Sequence, residues 1–150
     1  MKKVDIYTDG ACSGNPGKGG WGAILIYNGI EKEISGNAPE TTNNRMELLA
    51  IINALRSLKE NCEVTLYSDS AYSLDPFNKG WIYDWQKNNW KNSSKQEVKN
   101  TDLWLALLLE TKKHKITWIK VKGHADNEYN NRCDAIARKA IKELDKTGVN

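Results

Sequence analysis

Apolar and polar residues alternate at the start of the chain. Val4, Ile6 and Thr8 fall on one side and Asp5 and Tyr7 on the other, which predicts a strand. Residues 10–22 are rich in glycine and contain Asn15-Pro16-Gly17, so a loop is expected there. Residues 21–27 read as a second strand, and Asn28-Gly29 signals a hairpin into a third over residues 30–35. The period then changes. Leu48, Ile51, Ile52, Leu55 and Leu58 share one face of a helix expected over residues 45–59. A strand over 63–68 follows, then a short helix over 70–78 that Pro76 should interrupt. Another short helix is expected over 80–88, and a polar loop over 88–99. Residues 101–110 read as a helix burying Leu103, Leu107 and Leu108, and residues 116–121 as the last strand. A helix over 126–145 should turn Ile136, Ala140, Ile141 and Leu144 inward, leaving residues 146–150 as a frayed tail.

Three hairpin-connected strands followed by β-α-β units imply an α/β fold. Its mixed five-stranded sheet should have three antiparallel N-terminal strands and helices on both faces. A length of 150 residues suits one domain spanning 1–150. With 39% hydrophobic and 27% charged residues, the composition is that of an ordinary globular protein. No run of about 18 apolar residues marks a membrane span, and no apolar signal-peptide core follows Met1-Lys2-Lys3. A cytoplasmic location is expected. Cys12, Cys62 and Cys133 are an odd count without zinc-site spacing, which suits free thiols in a reducing compartment. The net charge of +3 leans only weakly toward polyanions.

Four acidic residues carry the candidate chemistry. Asp9 ends the first strand, Glu47 sits in the first turn of the 45–59 helix, Asp69 ends the 63–68 strand, and Asp134 opens the last helix. Taken singly, each has a plain structural explanation. Glu47, for instance, completes a capping-box spacing in Asn44-Arg45-Met46-Glu47. Taken together, four carboxylates at strand ends and helix starts can converge. Such a cluster of like charges needs a cation to offset it, and Mg²⁺ is the usual partner of carboxylates and substrate phosphates. Metal-assisted chemistry on a phosphodiester follows.

The remaining motifs are less specific. The 10–20 segment lacks Gly-Lys-Ser/Thr and leads into a strand, so it is not a Walker loop. His124, in Lys122-Gly123-His124-Ala125, could relay protons beside a phosphodiester or merely occupy a loop. His114, among Lys112, Lys113 and Lys115, reads as part of a solvated basic turn. Trp81, Trp85 and Trp90 interleave with Lys87, Lys91, Lys95 and Lys99. That pattern suits either a nucleic-acid groove or a small local core with snorkelling lysines.

These segments in order resemble the type 1 ribonucleases H, a family of single-domain bacterial-type enzymes. Thr8-Asp9-Gly10-Ala11-Cys12-Ser13-Gly14-Asn15-Pro16-Gly17 is similar to the family's opening signature. Thr41-Thr42-Asn43-Asn44-Arg45-Met46-Glu47, Ser68-Asp69-Ser70, Val121-Lys122-Gly123-His124-Ala125 and Asn130-Asn131-Arg132-Cys133-Asp134 match in order and spacing. The resemblance implies a monomeric endonuclease, without an obligate protein partner, that cuts the RNA strand of an RNA–DNA hybrid. It implies two Mg²⁺ ions at the scissile phosphate, with Mn²⁺ as an alternative. Asp9 would bridge both ions, Glu47 and Asp69 would hold the one on the nucleophile side, and Asp134 the one on the leaving-group side. Water attacks in line, leaving a 5′-phosphate and a 3′-hydroxyl, and His124 assists. Groups at Cys12, Asn15, Asn43 and Asn44 would read the RNA 2′-hydroxyls. Trp81, Trp85, Lys87, Trp90 and Lys91 would belong to a basic protrusion gripping the DNA strand, and Thr42 and Asn100 to a DNA-phosphate pocket. Glu40 stands where the family often has arginine, and Ala71 where it often has glutamine. Weaker, more salt-sensitive binding with intact chemistry is expected. A non-catalytic hybrid-binding module and another nuclease on the same fold are the competing readings.

Overall fold

The computed structural model describes residues 1–122 and 127–147. Strands β1 (Lys2–Ser13), β2 (Gly17–Tyr27) and β3 (Ile30–Thr41) precede helix α1 (Asn43–Arg56), strand β4 (Cys62–Ser68) and helices α2 (Ala71–Asn78), α3 (Trp81–Lys87) and α4 (Thr101–Thr111). Strand β5 (Lys115–Lys120) and helix α5 (Glu128–Thr147) complete the order. The five strands form one sheet in the order β3-β2-β1-β4-β5. The first three pair antiparallel, while β4 pairs parallel with both β1 and β5. This is the mixed sheet the alternation predicts.

One face carries the larger core. Val4, Ile6, Val64 and Leu66 pack against Leu48, Ile51, Ile52 and Leu55 of α1 and Leu103, Trp104 and Leu107 of α4. Trp104 is fully buried within reach of three aromatic rings, with centroids 5.5 Å from Tyr72, 6.2 Å from Phe77 and 5.6 Å from Trp85. The other face of β2 receives α5. A Cβ on Gly20 would stand 2.2 Å from the Ala137 carbonyl oxygen, so only glycine lets the helix seat this closely. The small residues Cys133, Ala137 and Ala140 are buried there, as is Asn130. Ile136, Ile141 and Leu144, expected to point inward, are half-buried, with Ile136 and Ile141 set against the β2 backbone at Gly22 and Gly20. Fractions of a turn decide which side chains lie beneath a helix packed on bare backbone.

Several element boundaries differ from the sequence reading. Most of the expected 10–22 loop is strand, because β1 and β2 stay paired from Asp5↔Ile26 to Ser13↔Lys18. Only residues 14–16 turn. Here glycine serves close packing rather than a loop. Helix α1 begins at Asn43, capped by Thr42, whose Oγ1 accepts the Arg45 N–H at 3.3 Å. The capping box read at Asn44 is not used, and Glu47 falls in the second turn facing inward. Pro76 does not interrupt α2. Ser70 caps the helix through its side chain, and the Lys79 N–H donates to the Asp75 carbonyl at 2.8 Å beyond the proline. Asp134 is the seventh residue of α5, and Lys146 and Thr147, expected to fray, continue that helix. His114 is not a solvated basic residue. Its Nδ1 accepts the Cys62 N–H at 3.0 Å, and its Nε2 is buried without a partner. It docks the turn before β5 onto the start of β4.

Candidate active site

Parallel pairing of β1 with β4 stops at Tyr7↔Tyr67. Just beyond it lie Asp9, which sits within β1 rather than ending it because β1 runs on to Ser13 paired with β2, and Asp69, which directly follows β4. Both project where the parallel pairing ends, the edge at which open α/β sheets form crevices. Helix α1 brings the third carboxylate. The Gly10 N–H donates to Glu47 Oε1 at 2.8 Å. Gly10 is needed for this approach, since a Cβ there would lie 2.5 Å from the Glu47 backbone nitrogen. Helix α5 adds Asp134, held beside β1 by the Cys133 thiol, which donates to the Tyr7 carbonyl at 3.3 Å. Asp9, Glu47, Asp69 and Asp134 line one cavity of about 400 Å³ together with Cys12, Asn43 and Arg138.

The carboxylates are crowded and poorly compensated. Asp9 and Glu47 are 6% and 4% exposed. Burial, reinforced by the charge of Asp69, pushes Asp9 up to about 7. Burial and the neighbouring Asp9 push Glu47 well above the usual carboxylate range. Each shift records the cost of holding a negative charge in this place. Glu47 Oε2 is buried without a hydrogen-bond partner. One ligand oxygen from each of Asp9, Glu47 and Asp69 lies within 4.8 Å of the others. An orphaned acceptor beside two further carboxylates fits a hard, oxygen-seeking divalent cation. Asp134 shares the cavity but lies outside that close trio, and its Oδ2 accepts from Arg138 Nε at 2.9 Å.

The polar groups expected to read a substrate flank this cavity on one side. Asn15 Oδ1 accepts the Asn43 N–H at 3.2 Å, which joins the 14–16 turn to the start of α1. Asn44 is exposed on the next position. The Cys12 thiol donates to the Gly17 and Thr41 carbonyls at 3.6 and 3.5 Å, so it also ties three strands together. Thr42 caps α1, and Asn100 faces it across Arg45, whose Nη1 donates to Asn100 Oδ1 at 3.1 Å. Farther along, Trp81, Trp85 and Lys91 line a second cavity of about 460 Å³. The tryptophans divide between surface and core. Trp81 is 43% exposed, whereas Trp85 packs on Trp104 and lies 6.4 Å from Trp90. Lys87 is exposed at the end of α3. His124 lies outside the described residues. Glu40 is exposed near the end of β3, and Ala71 begins α2.

Sequence reasoning overlooked Arg138, Arg45 and Gly10. Arg138 had a readable signal, since it follows Asp134 by four residues on one helix. Gly10 had none, because its role appears only when α1 lies against β1.

Fold and site together define an α/β protein with an acidic, cation-competent crevice at the carboxyl ends of parallel strands. The RNase H family model matches residues 1–142. The ribonuclease H of Acetivibrio thermocellus is 65% identical over 146 residues, covering 97% of this chain and 99% of that protein. That of Caldanaerobacter subterraneus subsp. tengcongensis is 64% identical over 140 residues, covering 93% of this chain and 92% of its own. Among solved structures, LC9-RNase H1, a type 1 RNase H with the type 2 active-site motif, superposes with a TM-score of 0.86. It is 29% identical and covers 95% of this chain and 74% of its own. The chain belongs to the RNase H family.

Proposed function

We propose that this chain is a catalytic unit that hydrolyses phosphodiester bonds in the RNA strand of RNA–DNA hybrids. The single observation that carries the chemistry is the trio Asp9, Glu47 and Asp69, with ligand atoms within 4.8 Å of one another and one buried oxygen unsatisfied. These three would hold one divalent cation, and Asp134 with Asp9 a second, with Mg²⁺ as the resident ion and Mn²⁺ as the alternative. When bound, such ions stabilise the charge that builds on the phosphate oxygens and favour attack by water. The attacking oxygen bonds to phosphorus as the P–O3′ bond breaks, leaving a 3′-hydroxyl and a 5′-phosphate. The chain's own contribution is placement. Gly10 and the Glu47 carboxylate lock α1 to β1, and Cys133 fixes α5, so the acids hold their positions before substrate arrives.

Choice of the hybrid rests on polar groups beside the acids. Cys12 and Asn43 line the acidic cavity, and with Asn15 and Asn44 they would read RNA 2′-hydroxyls, groups an all-DNA strand would leave without partners. Exposed Trp81, half-buried Trp85 and Trp90, with Lys87 and Lys91, suit the DNA strand, while Thr42 and Asn100 suit one of its phosphates. His124 is assigned to nucleophile activation or product departure by its motif alone. The naming of relatives at 64–65% identity supports this reading. A monomer acting in the cytoplasm is the accompanying proposal, consistent with three unpaired cysteines. No helix among the described residues is long and apolar enough to cross a membrane.

The test is cleavage of a strand-labelled RNA–DNA hybrid by wild type and Asp9→Asn, with Mg²⁺ and with EDTA. RNA products ending in 3′-hydroxyl, absent with EDTA and in the variant, are expected. Tight binding without metal-dependent cleavage would make the chain a binding module. Cleavage of DNA duplexes would make it a different nuclease.

A further inference from the structure

Arg45 stands between two residues assigned to the DNA-strand phosphate, and its guanidinium is bonded to Asp102 and Asn100. Its Nη1 and Nη2 donate to Asp102 Oδ1 and Oδ2 at 3.0 and 2.8 Å, a two-pronged contact that takes up its charge. The same Nη1 donates to Asn100 Oδ1 at 3.1 Å, and its backbone N–H is held by Thr42 Oγ1. Asn100 Nδ2 in turn donates to the Tyr72 hydroxyl at 2.9 Å, and the Tyr72 ring rests 5.5 Å from buried Trp104.

The inventory of the Asn100 amide is then nearly closed. An amide offers one oxygen acceptor and two N–H donors. The oxygen is taken by the guanidinium and one N–H by Tyr72, which leaves one N–H to offer. Turning the amide over would set its N–H groups against those of Arg45, so the orientation is fixed. Asn100 also occupies the N-cap position of α4 in the left-handed region, at φ 63, yet its side chain makes no cap bond. Asparagine at that position ordinarily caps the helix; here the side chain is diverted toward Arg45 and Tyr72.

We propose that Arg45 is a positioning residue that, with Tyr72, aims the Asn100 N–H at a phosphate of the DNA strand while Asp102 neutralises its own charge. This rests on the hybrid reading above. Arg45 then contributes to hybrid affinity through geometry, and not as a free cation.

The experiment is a double-mutant cycle between Arg45→Lys and Asn100→Ala. Hybrid affinity is read by fluorescence anisotropy in EDTA, and KM and kcat in Mg²⁺. Arg45→Lys keeps the charge and loses the fork. Asn100→Ala is expected to weaken affinity about tenfold, the scale of one hydrogen bond to a charged group. Arg45→Lys should weaken it roughly three- to tenfold, with kcat within about twofold in both. The double variant should bind no worse than Asn100→Ala. Tyr72→Phe removes the other partner of the amide and should shift affinity in the same direction. Urea unfolding of each variant, with the folded baseline intact at the assay temperature, separates the affinity change from loss of fold. Wild-type affinity in Arg45→Lys, losses that multiply in the double variant, or no loss in Asn100→Ala would each overturn the inference. Failure of wild type to cleave the hybrid would overturn the cleavage reading alone, because the cycle in EDTA still reports on Arg45.

Discussion

Replacing Asp9 by asparagine should stabilise the metal-free protein while abolishing its chemistry. In the folded chain Asp9 is pushed up to about 7, by burial first and then by Asp69, from an ordinary value of 3.8. A carboxyl raised on folding keeps its proton longer in the folded state. The unfolded chain therefore loses that proton first as pH rises, and the fold is penalised progressively between about pH 4 and pH 7. At 1.36 kcal/mol per unit, a difference of 3.2 units gives a penalty of about 4 kcal/mol at pH 8. The same relation gives about 2 kcal/mol at pH 5 and below about 1 kcal/mol at pH 4. Asp9 and Glu47 influence one another, and the asparagine amide must itself be satisfied in a buried site. About half of the full figure, roughly 2 kcal/mol at pH 8, is the expected gain. With a urea slope near 2 kcal/mol per molar, the midpoint should rise by about 1 M. The assay is urea unfolding of wild type and variant in EDTA at pH 8, 5 and 4. Adding Mg²⁺ at pH 8 should stabilise wild type by mass action and narrow the gap. A variant no more stable than wild type at pH 8, or a gain that does not shrink as pH falls, would refute the view that uncompensated charge strains this site.

Other consequences are open to direct measurement. Gly10→Ala puts a Cβ 2.5 Å from the Glu47 backbone nitrogen, so it should destabilise the fold by roughly 1–3 kcal/mol and depress cleavage; wild-type stability would show that α1 can move aside. Glu40→Arg, at an exposed position beside Thr41 and Thr42, should lower KM for the hybrid severalfold at low salt and less at high salt; an unchanged or higher KM counts against a phosphate near that site. His114 is held below its ordinary value by burial. The unfolded chain should thus take up this proton first, and stability should be lost as pH falls from about 6.5 through the lower folded value. An NMR titration placing His114 at or above 6.5 would contradict the buried acceptor geometry.

The chain carries much of its fold in readable form. Alternation through Val4, Ile6 and Thr8 and the 3.6-residue stripe from Leu48 to Leu55 are local, because burial on one face selects every second residue in a strand and every third or fourth in a helix. The strand–helix order followed, and with it the mixed sheet. The four carboxylates were legible by their settings, and Asp9, Glu47 and Asp69 meet within 4.8 Å. Residues 10–22 were misread because glycine signals a turn locally, yet Gly10, Gly20 and Gly22 lie in strands where another element presses on the backbone. Only the assembled structure reveals that pressure. The same holds for the Thr42 cap, the Cys62 N–H bond to His114 Nδ1, the inward turn of Glu47 and the Arg45–Asn100–Tyr72 chain.

Sequence by itself determined the elements, their order and the identity of the acids, since these depend on short-range periodicity and residue type. Tertiary structure alone decided how far apart those acids lie, which of them lose water and which cations face them. Asp9 and Glu47 are driven upward because sheet, α1 and α5 close around them, and Asp134, on α5 and paired with Arg138, lies outside the trio. Desolvation and Coulomb interaction depend on distances between residues remote in the chain, and only packing sets those distances.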